Sequence, residues 1–254
     1  MTISQLSLFT VPCIPLVRPG DNLAAIILAA LHAAEQELAA GDVIIIAQKI
    51  VSKAEGRLVA LSSVKPSAEA VELAAAAEKE PAAAQLILDE STQILRCRPG
   101  VIIAEHKLGF VLANAGLDRS NVDENNDLVL LLPENPDKSA AEIRASFSRA
   151  LGFGPGVIIA DSVGRAWRMG TTGMTLGCAG VEALANLRGQ HDMFGRELQV
   201  SEHAIADSIA SAAQLLMGEA NEATPVVVMR GLGQGKSTQN SKVLLRPAAE
   251  DMFR

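Results

Sequence analysis

Three short apolar runs, Val43–Ala47, Val157–Ala160 and Pro225–Met229, constrain the fold of this chain more than any other feature. Each is too short for a typical globular helix and reads as a buried strand. Around them lie stretches with a helical apolar period. Arg18-Pro19-Gly20-Asp21 turns the chain into a long helix ending near Gly41, with Leu23, Ile27, Ala30, Leu31 and Ala34 on one face. Residues 67–90 are alanine-rich and helical, with Pro81 as an interruption. Ser139 and Glu142 make a capping-box pattern that opens a helix toward Leu151, and Ser201 is expected to cap a helix to about Met217 with Ile205, Ile209, Ala212 and Leu216 on one face. Shorter β-like runs fall at Gln93–Arg96, Val101–Ala104, Phe110–Ala113 and Leu128–Leu132, and Val11–Val17 reads as a strand broken by Pro12 and Pro15. The mixture is that of an α/β protein.

A chain of 254 residues can bury a large core, as one domain or two closely packed ones. With one Trp, six Phe and no Tyr, that core must be aliphatic and rich in alanine. The formal charge of -7 and the scarcity of aromatic residues argue against a nucleic-acid partner, which needs clustered cations or stacking platforms. Cys13, Cys97 and Cys178 are odd in number and form no CxxC pair, so they are expected to be free buried thiols in a reducing compartment. The apolar stretch Leu23–Ala34 is too short to cross a bilayer, and no basic segment precedes an apolar one at the N-terminus. A cytoplasmic protein without membrane insertion is the expectation.

Two clusters of oxygen-bearing side chains carry the chemistry: Asn114-Ala115-Gly116-Leu117-Asp118-Arg119-Ser120-Asn121, and Asp161-Ser162-Val163-Gly164-Arg165 directly after the strand at 157–160. Each offers hard ligands beside a turn-forming glycine, a combination that can hold Mg²⁺ or Mn²⁺ against a phosphate. Each also has an ordinary reading, Asp118 as a turn residue and Asp161 as a cap or strand-end aspartate. The stretch from Gln48 to Arg57, with Lys49, Lys53 and Arg57, reads as a charged loop at the position where α/β sheets present ligand-binding loops. Gly152-Phe153-Gly154-Pro155-Gly156 lies after a helix and before a strand, the reverse of a dinucleotide fingerprint, and reads as a turn. Gly231-Leu232-Gly233-Gln234-Gly235-Lys236-Ser237-Thr238 imitates a P-loop but is one residue short, since position 230 is Arg230.

The ordered succession of segments resembles the coenzyme F420 γ-glutamyl ligase family. The segments run from Ile14-Pro15-Leu16-Val17-Arg18-Pro19-Gly20-Asp21 through Lys49–Arg57, Asn114–Val122, Asp161–Arg165 and Trp167-Arg168-Met169-Gly170 to Asp192–Leu198 and Glu250–Arg254. The resemblance implies an unusual two-lobed α/β fold of mixed sheets and helices, an interlocked homodimer, and a GTP-dependent ligase that joins L-glutamate to a deazaflavin precursor. It implies that Ile14, Pro15, Leu16, Val17, Gln48, Lys53 and Asn121 contact GTP, with Gln48 standing where some members carry serine. It further implies that Asp118, Asp161, Ser162, Gly218 and Glu219 hold Mg²⁺ or Mn²⁺, with K⁺ as a candidate additional ion. Lys49, Arg165 and Arg168 are candidate phosphate or substrate contacts, although structural ion pairs explain the two arginines equally well. Residues 1–254 are expected to be one ligase module without the fused flavin-binding domain of some relatives.

Activating a carboxylate by phosphoryl transfer needs positioned reactants and neutralised charge, not a protein nucleophile. That expectation matches a chain without a Ser-His-Asp or Cys-His constellation. Two alternatives share the same residues: a ligase of this scaffold acting on another carboxylate, and a guanine-nucleotide-binding module without turnover. Trp167 reads as a packing residue rather than a ring-stacking platform.

Overall fold

The computed structural model describes residues 5–120 and 127–252. In chain order its strands are β1 Ser7–Thr10, β2 Val43–Ala47, β3 Leu58–Ala60, β4 Ser91–Arg98, β5 Val101–His106, β6 Val111–Ala113, β7 Leu128–Leu130, β8 Gly156–Arg165, β9 Arg168–Ala179, β10 Leu184–Asn186, β11 Glu202–Ala204 and β12 Val226–Arg230. Its α-helices are α1 Leu23–Ala33, α2 Gln48–Ala54, α3 Ala68–Ala77, α4 Pro81–Asp89, α5 Pro136–Leu151 and α6 Ile205–Met217. The α/β reading therefore holds, with several sheets.

The largest sheet has the order β1-β12-β2-β8-β9. Within it β2 and β8 run parallel, and the remaining neighbours are antiparallel. The period of two along its strands divides the core into two layers. Ile44, Ile46, Val157, Ile159, Val226 and Val228 pack with Leu23 and Ile27 of α1 and Phe147 of α5. Val43, Ile45, Ile158, Val227 and Met229 pack on the other face with Ile209, Ala210 and Ala213 of α6. Helices on both faces explain why β2 and β12 are apolar without alternation. Burying side chains of this size contributes roughly 1.5–3 kcal/mol each.

Residues 58–130 supply a second set of cores. Strands β4, β5 and β6 form an antiparallel sheet, and β3 pairs with β7. Ala77 of α3 and Ile87 of α4 pack on Ile102 and Ala104 of β5. Pro81 separates α3 from α4 by standing in the first turn of the latter, where its missing N–H costs nothing.

Several expectations need correction. The strand expected at Val11–Val17 lies upstream at Ser7–Thr10, because Pro12 and Pro15 cannot donate to a ladder. Helix α1 stops at Ala33, well short of Gly41, and Ala34 is its C-cap rather than part of its buried face. The cap of α5 is Asn135, whose side chain accepts from Lys138 N at 3.1 Å ahead of Pro136, so the Ser139 box does not form. Residues 202–204 enter a β10–β11 pair, which moves the start of α6 to Ile205 and rotates its buried face to Ala206, Ile209, Ala210 and Ala213. The segment Asp161–Arg165 is not a turn: β8 continues through it, paired with β9. Of the cysteines only Cys178 is buried, while Cys13 and Cys97 are exposed.

The turn at Gly152 is as expected, with the glycine in the left-handed region after α5. The P-loop imitation is a structural loop: Gly235 N donates to Gly180 O at 2.7 Å, Gly235 O accepts from Arg144 at 2.6 Å, and no α-helix follows among the described residues. No described helix is long and apolar enough to cross a membrane.

Candidate functional site

A cavity of about 400 Å³ opens beyond the last rung of the parallel pair, where Ala47 of β2 faces Ala160 of β8. In α/β sheets the carboxyl ends of parallel strands are where the chain leaves room for ligands. One wall is Ile14–Val17, the connection after β1. A second is α2, and the third is the C-terminal half of α6 with the segment 218–225.

The stretch expected to be a charged loop is helix α2. Ile50, Val51 and Ser52 are buried, and Ser52 Oγ donates to Gln48 Oε1 at 2.9 Å. Helical spacing then sets Lys49 and Lys53, four residues apart, on one face beside the cavity. Lys49 Nζ lies 2.8 Å from Asp118 Oδ2 and donates to Ser120 Oγ at 2.5 Å. Burial foremost, and then Lys49, pulls the Lys53 ammonium below its usual range, while Asp118 acts the other way.

Asp118 reaches this place from a distant part of the chain. Its backbone exchanges hydrogen bonds with Leu130, at 3.0 Å and 2.8 Å. The turn before it holds Asn114 and Ala115 in the left-handed region, with φ of 53° and 52°. Such backbone is costly for non-glycine residues and persists only where surroundings impose it. The Asp118 side chain also accepts from Ser120 N at 2.7 Å.

Asp161 lines the cavity from β8 and accepts from Ser162 N at 2.9 Å. Burial pushes its carboxyl up to about 7 against that N–H, with Asp118 and Glu219 adding like charge and Lys49 opposing. Carboxylates separated by more than forty residues in sequence therefore act on one another across the site.

At the end of α6, Gly218 has φ of 73°, and the carboxylate of Glu222 occupies the space a Cβ would need. Glycine is required there on both counts. Gln214 Nε2 donates to Glu219, Ala220 N donates to Glu222 Oε2 at 2.8 Å, and Thr224 Oγ1 donates to the carbonyls of Leu216 and Met217 at 2.9 and 3.0 Å. These bonds fold 218–225 against the cavity. Gln214, Glu222 and Thr224 escaped the sequence reading; only the glycine after an amphipathic helix signals that the chain turns here.

Of the residues singled out from sequence, Ile14, Pro15, Leu16, Val17, Gln48, Lys49, Lys53, Asp161, Ser162, Gly218 and Glu219 line this one cavity. Asp118 stands at its edge through Lys49. Arg165 lies in a neighbouring groove, and Arg168 begins β9 at the exposed end of the hairpin. Asn121 falls outside the described residues. Among the described residues no three His, Cys, Asp or Glu side chains form a closed metal cage. Asp161, Ser162 and Glu219 present oxygen atoms to the cavity, and Asp118 lies at its edge beside Lys49.

The family model for F420-0:Gamma-glutamyl ligase matches residues 13–231, which include every element of the cavity. The chain belongs to the F420-0:gamma-glutamyl ligase family. The coenzyme F420:L-glutamate ligase of Methanothermobacter thermautotrophicus is 42% identical over 251 residues, covering 98% of this chain and 99% of that protein. The protein of the same name from Methanocaldococcus jannaschii is 42% identical over 241 residues, 95% of this chain and 94% of its own. That of Methanopyrus kandleri is 43% identical over 242 residues, 94% and 93% of the two chains. Similarity to the ligase family thus extends through both the large sheet and the inserted segment 58–130.

Proposed function

We propose that this chain forms an amide between L-glutamate and a deazaflavin coenzyme precursor, using GTP and a divalent cation. The observation that carries the reading is the convergence of Asp161, Glu219, Lys49 and Lys53 on one cavity, with Asp118 at its edge beside Lys49. Family membership supplies the reaction class, since the relatives are named L-glutamate ligases.

Ile14–Val17 and Gln48 would line the nucleotide, and Lys49 and Lys53 would face its phosphates. Asp118, Asp161, Ser162, Gly218 and Glu219 would hold Mg²⁺ or Mn²⁺, and K⁺ is a further candidate. The cation supplies charge neutralisation at the phosphate oxygens. The carboxyl of Asp161, raised first by burial and then by Asp118 and Glu219, fits this role, because a bound cation would favour its charged form. The lysines orient the terminal phosphoryl group toward the acceptor carboxylate and offset its charge. That group passes from GTP to the carboxylate, giving GDP and an acyl phosphate. The glutamate amine then attacks the acyl carbon; the C–N bond forms, the C–O bond to phosphate breaks, and the amine loses a proton.

The expected homodimer has support in exposed apolar residues around the β8–β9 hairpin and the loop before β11. Trp167, Met169, Met193 and Phe194 are all at least 80% exposed, as residues awaiting a second protomer would be. The two-lobed arrangement accords with the separate cores of the large sheet and of residues 58–130.

The test incubates the purified protein with GTP, Mn²⁺, L-glutamate and authentic deazaflavin precursor. A product heavier by one glutamyl unit, formed with GDP, is expected. No product from that precursor, but one from another carboxylic acid, would transfer the assignment to a related ligase. GTP binding without substrate-dependent GDP release would make the chain a nucleotide-binding module.

A further inference from the structure

A second groove, of about 530 Å³, runs along the N-terminal half of α6 and shares Gly173 with the first cavity. At Gly173 the β9 backbone meets the α6 backbone at Ala210 and Ser211 with no room for a Cβ. The two spaces adjoin at that contact. Helix α6 serves both: Asp207, Ser208 and Ser211 face the groove, whereas Ala210, Gln214 and Met217 face the cavity. Seven residues from Asp207 to Gln214 span about 10 Å of helix. Strand β8 does the same, carrying Asp161 in the cavity and Arg165 in the groove, roughly 13 Å further on. Occupants of the two sites would lie side by side.

The lining carries both signs of charge. Arg165 makes no ion pair among the described residues, and its planar fork suits a carboxylate. Asp207 accepts from Thr175 N at 2.9 Å and likewise has no cationic partner among the described residues. Glu202, by contrast, is occupied by Arg188 at 3.0 Å. Hydroxyl groups complete the lining: Thr172 Oγ1 and Ser211 Oγ are 3.0 Å apart, and Ser208 Oγ is 3.3 Å from a ring nitrogen of His203. Burial, which holds the Asp207 carboxyl above its usual range, would be offset by an arriving ammonium.

We infer that this groove binds the L-glutamate co-substrate, with Arg165 receiving a carboxylate and Asp207 the ammonium. The ammonium and α-carboxylate of an amino acid match an unpaired anion and an unpaired cation in one groove; a flat polyanion does not, since no Phe, Trp or lysine lines it among the described residues. The inference rests on the ligase reading above and adds the place from which the amine approaches.

The experiment compares wild type with Arg165→Met, Arg165→Lys and Asp207→Asn in two assays. One measures ligation against L-glutamate concentration. The other replaces glutamate with hydroxylamine, which traps the acyl phosphate formed from GTP and precursor. Arg165→Met and Asp207→Asn are expected to raise the KM for L-glutamate by roughly tenfold or more. The rate of hydroxamate formation and the KM for GTP should stay at wild-type values, and Arg165→Lys should recover part of the loss. An unchanged glutamate KM, or hydroxamate formation that falls together with ligation, overturns the assignment of the groove. A wild type that gives neither amide nor hydroxamate overturns the ligase reading itself, and the glutamate site with it.

Discussion

Burial pushes two carboxylates upward, Asp161 in the cavity and Glu90 beneath the small antiparallel sheet, yet their neighbours leave them shifted in opposite directions. Glu90 is held below the usual carboxylate range by the His106 imidazole, whose Nε2 is 3.5 Å away, and by the Arg57 guanidinium at 2.6 Å. The histidine contact is long for a hydrogen bond, so the arginine is the firmer partner. Burial pushes Asp161 up to about 7; among the described residues it accepts from Ser162 N at 2.9 Å, and Asp118 and Glu219 add like charge against Lys49. Glu90 shows a charge whose partners were provided by folding, and it stabilises the fold. Asp161 is raised by burial and by Asp118 and Glu219, with Lys49 opposing only in part, the kind of perturbed group that makes the cavity a candidate site.

The largest effect that would break this contrast concerns turnover. Asp161→Asn should lower the ligation rate by about 10²–10³-fold while leaving the thermal midpoint unchanged or higher, because it removes a repelled charge and keeps the acceptor for Ser162 N. Retained turnover would deprive Asp161 of its role. Glu90→Gln should behave inversely, costing about 2–3 kcal/mol in urea unfolding with little change in rate per folded molecule; equal stability would show that the Arg57 pair contributes nothing.

Titration sharpens the contrast further. A lowered carboxyl stabilises the native state above its unfolded value of about 4.5 and loses that contribution as pH falls through its folded value, so acid unfolding should be shallower in Glu90→Gln. A raised carboxyl binds its proton more tightly in the native state, so its effect on stability worsens as pH rises from about 3.8 to about 7. Without nucleotide or added cation, Asp161→Asn should therefore gain on wild type by roughly 2–3 kcal/mol more at pH 8 than at pH 5. A constant difference across that range would contradict the raised value. The smallest expected effect is that of Lys53→Ala, a weakening of GTP affinity by about fivefold to tenfold in equilibrium titration; unaltered affinity would remove Lys53 from the phosphate contacts.

The legible parts of the fold were those whose signal is local. Strands β2, β8 and β12 announced themselves as apolar runs, and Pro81 and Gly152 marked boundaries through their backbone chemistry. Helix α2 was missed because its seven residues include only a short apolar stretch between lysines, and its helicity depends on burying Ile50 and Val51. The β8–β9 hairpin was missed because Gly164, in a strand, looks in sequence like a turn. The start of α6 was displaced by a β10–β11 pairing that no window around Ser201 contains.

The same division applies to the site. Residue type and order along the chain drew attention to the oxygen-bearing stretches around Asp118 and Asp161 and to the cations from Lys49 to Arg57, while Glu219 and the role of Lys53 entered only through the resemblance to the ligase family. Tertiary structure decided that Lys49 meets Asp118 and Ser120 across about seventy residues, that Arg165 faces a separate groove, and that 218–225 folds against the cavity. Helix and strand periods fix only which side of an element a residue occupies. Which elements then come together is set by long-range packing, and so are the charges that each carboxylate feels.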